Sequence, residues 1–232
     1  KGSILGIGYL GAVASLLIKP LEDVGARNFI VFFEGEAGGG KTTSAKFGLS
    51  LFGNPSELMF TMNITRAAAE IILTTRKDSL VLLDEIMTMG YSYIPKHLKE
   101  VFYDFVNGIG RTKETPQINN LNLRQPNTYR GVLFLTSEIS FEKYIRKTDE
   151  TLMEIYRRNV IVNFSNQKID KEGIDIIYKS IYENHGNLLK DITDYIRNNI
   201  DFLKERYIHH RKQLARYKFN GQENHFALLY CA

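Results

Sequence analysis

A glycine-rich loop between an apolar run and a helical segment constrains the fold of this chain more than any other feature. The sequence GEAGGGKT at residues 35–42 fits the pattern GxxxxGK followed by Ser or Thr at every position. Phe29–Phe33, just before it, is aromatic and β-branched like a buried strand, and the residues from Lys41 to about Leu51 have helical character. A strand, such a loop and a helix form a phosphate-binding loop, because backbone N–H groups turn inwards at a helix N-terminus that favours anions.

The residue types in this loop predict how it binds a nucleotide. Lys41 is expected to reach the β- and γ-phosphates, and the hydroxyl of Thr42 is expected to ligate Mg²⁺. A glycine-rich turn without a ligand is the alternative, and the strand and helix on either side argue against it. The predicted nucleotide-binding residues are Gly35, Glu36, Ala37, Gly38, Gly39, Gly40, Lys41, Thr42 and Thr43.

A pair of carboxylates follows a second apolar run. Leu80–Leu83 is typical of a fully buried strand and leads directly into Asp84 and Glu85, 43 and 44 residues after Lys41. A nucleotide site needs a carboxylate at the carboxyl end of a strand to hold Mg²⁺, and Asp84 is the candidate. Glu85 is expected to orient and deprotonate an attacking water, which favours hydrolysis over phosphoryl transfer to a small-molecule acceptor.

Residues beside two further strands complete the predicted site. Thr136 follows the run Val132–Leu135 and is expected to contact the γ-phosphate or to position the water; ordinary capping after a strand is the alternative. Arg157 and Arg158 come just before the run Val160–Phe164. An arginine there would act in trans on the nucleotide of a neighbouring subunit, and the alternative is two solvated side chains. Arg158 is the preferred candidate because it lies nearer the strand.

Strands that alternate with helices predict an α/β fold with a parallel five-stranded sheet covered on both faces. From Ile169 onwards the pattern is helical only, so we divide the chain into a core, residues 1–168, and a helical lid, residues 169–232, of a longer protein. The apolar run Ser3–Ile18 spans 16 residues, too few to cross a membrane, and is expected to form a buried helix. The predicted strands are Phe29–Phe33, Leu58–Met62, Leu80–Leu83, Val132–Leu135 and Val160–Phe164.

The charge and the cysteine content of the chain limit which partners and which cellular compartment are expected. The chain has 30 Lys and Arg against 26 Asp and Glu, a net charge of +4, which permits a nucleic-acid partner without requiring one. The basic segment Leu203–Phe219 could bind phosphate backbone, although a solvated helix face is the commoner explanation. Cys231 is the one cysteine, so no internal disulfide can form, and we expect a cytoplasmic location.

Residues 111–130 form a long connection with several turn-forming residues. A β-hairpin that pairs Gln117–Leu123 with Thr128–Leu133 is one interpretation, and a disordered surface loop is the other. Connections of this length without structure are uncommon inside a compact domain and are often functional.

The ordered series of motifs resembles the additional-strand P-loop ATPases, and within them the AAA+ class. More specifically, the chain resembles the family catalogued as domain of unknown function 927. That family includes self-loading, minichromosome-maintenance-like replicative helicases of bacterial mobile genetic elements. The resemblance spans about residues 10–232, and the residues that carry it are 14–20, the phosphate-binding loop, 63–65, 76–78, 82–85, 106–111, 135–138 and 184–186.

The resemblance implies the motor of a replicative DNA helicase, with ATP and Mg²⁺ as cofactors. It further implies a hexameric ring that hydrolyses ATP at subunit interfaces and translocates on single-stranded DNA. In related helicases a hairpin before the fourth strand projects into the central channel, and residues 111–130 occupy that place. Lys113 and Arg124 are therefore candidate DNA contacts. The residues that match positions with ATPase roles are Lys41, Thr42, Asp84, Glu85 and Thr136.

Two other functions remain compatible with the sequence. An AAA+ protein remodeller or assembly chaperone would thread polypeptide with an aromatic pore loop, for which Tyr91–Tyr93 is the best candidate. A nucleotide-gated loader would bind DNA and hydrolyse ATP slowly without unwinding.

Overall fold

In the computed structural model, which describes residues 4–85, 94–111, 113–115, 122–145, 149–165, 171–217, 219 and 221–232, strands and helices alternate along the first two thirds of the chain. The strands are β1 (Phe29–Glu34), β2 (Met59–Thr61), β3 (Ser79–Asp84), β4 (Lys113–Thr115), β5 (Asn122–Arg124), β6 (Gly131–Ser137) and β7 (Val160–Asn163). The helices are α1 (Gly6–Leu17), α2 (Lys41–Leu49), α3 (Pro55–Leu58), α4 (Arg66–Thr75), α5 (Lys96–Asn107), α6 (Glu150–Arg158), α7 (Lys171–Asn184), α8 (Leu189–Asn198), α9 (Ile200–Leu214) and α10 (Glu223–Cys231).

Five strands form one all-parallel sheet in the order β2-β3-β6-β1-β7, which confirms the predicted fold class. Each predicted strand is present within two residues at either end. β6 lies between β1 and β3, so an additional strand separates the strand before the glycine-rich loop from the strand that ends in Asp84. All five strands point their carboxyl ends towards the same edge of the sheet.

The two faces of the sheet are covered by different helices. Phe29, Val31 and Phe33 of β1 pack into an apolar cluster with α1, α2, α9 and α10, while Ile30 and Phe32 pack into a second cluster with α4, α5 and α6. Alternate side chains of β1 therefore enter opposite layers. This burial on both faces is why the strand is a continuous apolar run.

Helix α1 holds the helix that follows the glycine-rich loop. The Gly8 N–H donates to Ser44 Oγ at 3.2 Å, and Ser44 Oγ donates to the Leu5 carbonyl at 2.9 Å. A Cβ atom at Gly8 would lie 1.7 Å from the Ser44 carbonyl oxygen, so the two helices approach as closely as their backbones permit. The glycine content of this predicted buried helix therefore serves packing. Within the described ranges, no helix combines the length and apolar character needed to cross a membrane.

Replacing Gly8 with alanine is expected to lower the free energy of unfolding by about 2 kcal/mol or more, because the new methyl group meets backbone that cannot yield. Urea unfolding followed by circular dichroism measures the loss. Gly6→Ala is the matched control, since a Cβ atom at Gly6 meets no atom within 4 Å. The control should stay within about 1 kcal/mol of the wild type. Equal stability of the two variants would contradict the close packing of α1 on α2.

The predicted hairpin in residues 111–130 exists, but its predicted strands are wrong. The structure pairs β4 with β5 in antiparallel register, with Lys113 opposite Arg124. The expected pairing of Gln117–Leu123 with Thr128–Leu133 fails because Gly131 onwards belongs to β6, which pairs in parallel with β1 and β3. Backbone hydrogen bonds from Gly110 to Asn127 and from Tyr129 to Gly108 close the base of the connection.

The C-terminal helices share a core with the N-terminal part of the chain. Leu203 and Tyr207 of α9 and Leu228 of α10 are buried in the same apolar cluster as α1 and β1. Tyr178 of α7 contacts the Thr43 hydroxyl through its own hydroxyl at 3.3 Å. The boundary between residues 168 and 169 lies outside the described residues, and the division into core and lid stays a prediction.

Candidate nucleotide-binding site

The glycine-rich loop lies at the carboxyl edge of the sheet, between β1 and α2. Gly40, directly before α2, has a φ of 90°, a left-handed conformation that favours glycine. A Cβ atom at Gly35 would lie 2.7 Å from the Ser165 backbone nitrogen and 2.9 Å from the Phe164 carbonyl carbon. A side chain at Gly35 would therefore push away the segment that follows β7.

Lys41 folds over this loop. Its Nζ donates to the carbonyl oxygens of Gly35 at 2.6 Å and Glu36 at 2.8 Å, and the residue is only 6% exposed. Burial lowers the pKa of Lys41, and the negative charges of Glu85, Glu138 and Asp84 oppose that shift. The ammonium group thus lies in the loop that is predicted to hold phosphates, with three carboxylates close enough to act on its charge.

The two predicted magnesium ligands are neighbours. Thr42 Oγ1 donates to Asp84 Oδ1 at 3.2 Å, although the residues are 42 positions apart in the chain. Octahedral Mg²⁺ with ligands at about 2.1 Å places adjacent ligand oxygens about 3 Å apart. The separation of these two oxygens therefore fits two adjacent positions around one magnesium ion.

Thr136 connects the carboxylate of Asp84 with the backbone of Glu85 at the end of β3. Its Oγ1 donates to Asp84 Oδ1 at 2.6 Å and accepts the backbone N–H of Glu85 at 2.7 Å. Glu85 has a φ of 60°, a left-handed conformation that is uncommon in residues other than glycine. Such backbone is found where surrounding structure holds it, often at functional sites, and the buried Thr136 hydroxyl provides one such contact. The expected contact of Thr136 with the γ-phosphate or the water stays a prediction.

Sequence analysis missed Glu34, the last residue of β1. Its carboxylate is buried and accepts hydrogen bonds from the Phe141 N–H at 2.7 Å and the Tyr156 hydroxyl at 2.8 Å. These bonds attach the start of the glycine-rich loop to the segment after β6 and to α6. Burial raises the pKa of Tyr156, so the phenol stays protonated and can donate. A charged residue at the end of an otherwise apolar strand was the available signal.

The structure places Arg158 away from these residues. Arg157 and Arg158 end α6, just before β7 begins at Val160, so both lie at the amino edge of the sheet, opposite the glycine-rich loop. Both side chains are exposed, and Arg158 forms an ion pair with Glu154 at 2.5 Å. This position does not support a role for Arg158 at the glycine-rich loop of its own chain. A role in trans stays a prediction.

The predicted DNA contacts are also distant from the glycine-rich loop, and the predicted aromatic pore loop lies outside the described residues. Lys113 and Arg124 are paired on the hairpin before β6 and therefore lie beyond the amino end of that strand. Tyr91–Tyr93, the candidate aromatic pore loop, lies outside the described residues.

The strand order and the helices on both faces define an α/β protein with a five-stranded all-parallel sheet flanked by helices. The chain belongs to the family described as domain of unknown function (DUF927), whose sequence model matches residues 1–121. A search of the curated proteins finds no match.

Solved structures show where else this fold occurs. The structure described as "SCCmec type IV Cch - active helicase" is 19% identical to this chain, with a TM-score of 0.75. The alignment covers 98% of this chain and 41% of that one, so the chain spans less than half the length of its structural neighbour. A structure of JCV helicase is 14% identical with a TM-score of 0.39, covering 91% of this chain and 63% of that one, a similarity too low to carry an argument. At 19% identity, the similarity to the first of these structures shows a shared fold only.

Proposed function

We propose that this chain is the ATP-hydrolysing motor of a replicative DNA helicase of a mobile genetic element. The proposed protein forms a homo-oligomer, a hexamer by resemblance, and translocates on single-stranded DNA. The observation that carries the proposal is the hydrogen-bonded series Thr42, Asp84, Thr136 and Glu85, beside Lys41 at one edge of the sheet. The fold shared with a structure described as an active helicase supports it.

The roles of the residues follow from their positions. Backbone N–H groups of the loop bind the phosphates, and Lys41 moves its ammonium from the loop carbonyls to the β- and γ-phosphate oxygens. Thr42 and Asp84 hold Mg²⁺, which would neutralise charge on those phosphates. Glu85 takes a proton from the attacking water, while Thr136 holds the Glu85 backbone so that its carboxylate stays at the γ-phosphate side of the site.

Residue pairing on the hairpin supports a nucleic-acid contact there. Lys113 and Arg124 occupy directly opposite positions of an antiparallel pair and therefore share one face of the hairpin. Lys and Arg are the residue types that neutralise DNA phosphates, so two of them at opposite positions of this hairpin support a DNA contact.

Replacing Lys113 and Arg124 together with alanine is expected to weaken single-stranded DNA binding and to flatten its salt dependence, because fewer counterions are released. The logarithmic slope should fall by about one for each phosphate that the variant no longer binds. Fluorescence anisotropy with an oligothymidine at two salt concentrations measures both. Lys179→Ala on the exposed face of α7 is the matched control for the removal of one charge. Undiminished affinity at both salt concentrations would remove the hairpin from the DNA interface, and weaker binding by Lys212→Ala would point to α9.

The proposal as a whole is tested by steady-state ATP hydrolysis with and without single-stranded DNA, with Glu85→Gln as the blank. Stimulation by DNA is expected, followed by strand separation in an unwinding assay. Hydrolysis that DNA does not change would contradict the proposed motor and favour a protein remodeller. DNA-stimulated hydrolysis without unwinding in the full-length protein would favour a loader.

A further inference from the structure

Two residues at the C-terminal end of α6 accept hydrogen bonds on their backbone from one side chain at the start of the last described helix. Gln222, which precedes α10, donates through Nε2 to the carbonyl oxygens of Arg157 and Asn159, each at 2.7 Å. His225 of α10 lines the same cavity as Arg158, the residue between them. The contacts of Gln222 join residues 65 and 63 positions apart, so they are tertiary contacts rather than local capping.

His225 is buried next to this contact. The residue is 8% exposed, and its ring stacks on Phe29 at a centroid distance of 4.9 Å. Its Nδ1 has no hydrogen-bond partner within the described ranges. Burial lowers the pKa of His225 to about 4, which keeps the ring uncharged at neutral pH beside two arginines.

The side chain of Asn159 is held by β1. The Ile30 N–H donates to Asn159 Oδ1 at 2.7 Å, and Asn159 Nδ2 donates to the Ile155 carbonyl at 2.6 Å. Carbonyls at the end of a helix need partners, but water satisfies them at an exposed end. Here the partly buried side chain of Gln222 and a backbone N–H of β1 hold Arg157 and Asn159.

Next to this fixed backbone the two arginine side chains stay exposed. A cavity of about 1110 Å³ opens beside them, lined by Arg157, Arg158, Gly221 and His225 and by acidic residues of α6. Arg158 forms its ion pair with Glu154, one turn earlier in the same helix, and Arg157 forms no ion pair within the described part of the chain. Contacts that support a functional side chain decide how precisely it is placed. Exposed guanidinium groups on a fixed backbone are therefore suited to contact a negative charge on another molecule.

We infer that the start of α10 is a positioning element, in which Gln222 holds the Arg157–Asn159 backbone so that the arginines reach a nucleotide bound by a second copy of this chain. The inference rests on the proposed homo-oligomer and on the role in trans that the sequence predicts for Arg158. Gln222 touches no nucleotide itself. It acts through the arginines, so its loss should slow hydrolysis only at the nucleotide site of the neighbouring copy that receives these arginines.

Mixing experiments with full-length variants test this division. A Lys41→Ala chain cannot turn over its own nucleotide but can donate arginines, and a chain with Arg157→Ala and Arg158→Ala has an intact site but donates none. The mixture is expected to regain ATP hydrolysis. Adding Gln222→Ala to the Lys41→Ala donor should lower the rate of the mixture by about tenfold or more, because small displacements of a catalytic group are costly. Glu223→Ala in the same donor is the matched control.

The reverse mixture separates positioning from a loss of structure. In this mixture, a chain whose only substitution is Gln222→Ala receives arginines from the Lys41→Ala donor. It should hydrolyse ATP at its own site as fast as the wild type does when mixed with the same donor. Equal losses as donor and as recipient would overturn the inference and assign Gln222 a merely structural role. Full donation by the Gln222→Ala donor would also overturn it. A first mixture that regains no activity would contradict the shared site itself, while ATP binding by single chains would still support the rest of the proposed function.

Discussion

Lys41→Ala is expected to reduce ATP turnover by about 10³-fold. The substitution removes the charge proposed to stabilise the β- and γ-phosphate oxygens during transfer, and also the two hydrogen bonds that the ammonium donates to the loop carbonyls. Both losses fall on the same loop, so nucleotide affinity should fall together with turnover. Phosphate release in the steady state measures turnover, and titration with a fluorescent ATP analogue measures affinity.

Lys46→Ala is the matched control for this substitution. Lys46 belongs to the same helix, but its Nζ lies 5.5 Å from the centre of the Tyr178 ring. The control removes one positive charge from α2 without touching the loop, and its turnover should stay near that of the wild type. Normal hydrolysis by Lys41→Ala would show that the loop does not hold the reacting phosphates.

Glu85→Gln is expected to separate binding from chemistry. The amide cannot accept a proton from water, so turnover should fall by about 10²-fold or more, the usual contribution of a general base. The shape of the side chain and the backbone bond to Thr136 are retained, and ATP affinity should therefore stay within a few-fold of the wild type. Single-turnover hydrolysis and analogue binding, measured on the same preparation, check both halves of this result.

Glu172→Gln on the exposed face of α7 serves as the control for the removal of a carboxylate charge. Asp84→Asn should behave differently from Glu85→Gln, because Asp84 is the proposed magnesium ligand and its loss should raise the Mg²⁺ concentration needed for turnover. Unchanged turnover in Glu85→Gln would remove Glu85 from the role of base. A matching loss of ATP affinity would instead make it a binding residue.

The sequence alone predicted the strands of the sheet and the motifs that follow them. The apolar runs at 29–33, 80–83 and 132–135 can be recognised as strands because a strand buried on both faces needs an apolar side chain at every position. Lys41, Thr42, Asp84 and Glu85 could be assigned because parallel strands end at one edge, and residues after different strands must then meet there. The distance of 3.2 Å between Thr42 and Asp84 agrees with that expectation.

Contacts between distant residues had no local signal in the sequence. The hairpin was assigned the wrong strands because residues 131–133 pair with β1 and β3, a competition that only the assembled sheet reveals. The Glu34 carboxylate accepts hydrogen bonds from Phe141 and Tyr156, which are more than 100 positions away in the chain.

The sequence by itself therefore determined the order of strands and helices along the chain, the position of the glycine-rich loop and the two carboxylates at the end of β3. Each depends on a short pattern of residue types and on rules of backbone geometry that hold wherever the pattern occurs. Only the tertiary structure decided how Thr136 connects Asp84 with Glu85, how closely α1 lies on α2, and which helix holds the Arg157–Asn159 backbone. Those contacts join residues dozens of positions apart, and their partners are set by the packing of whole elements rather than by neighbouring residues.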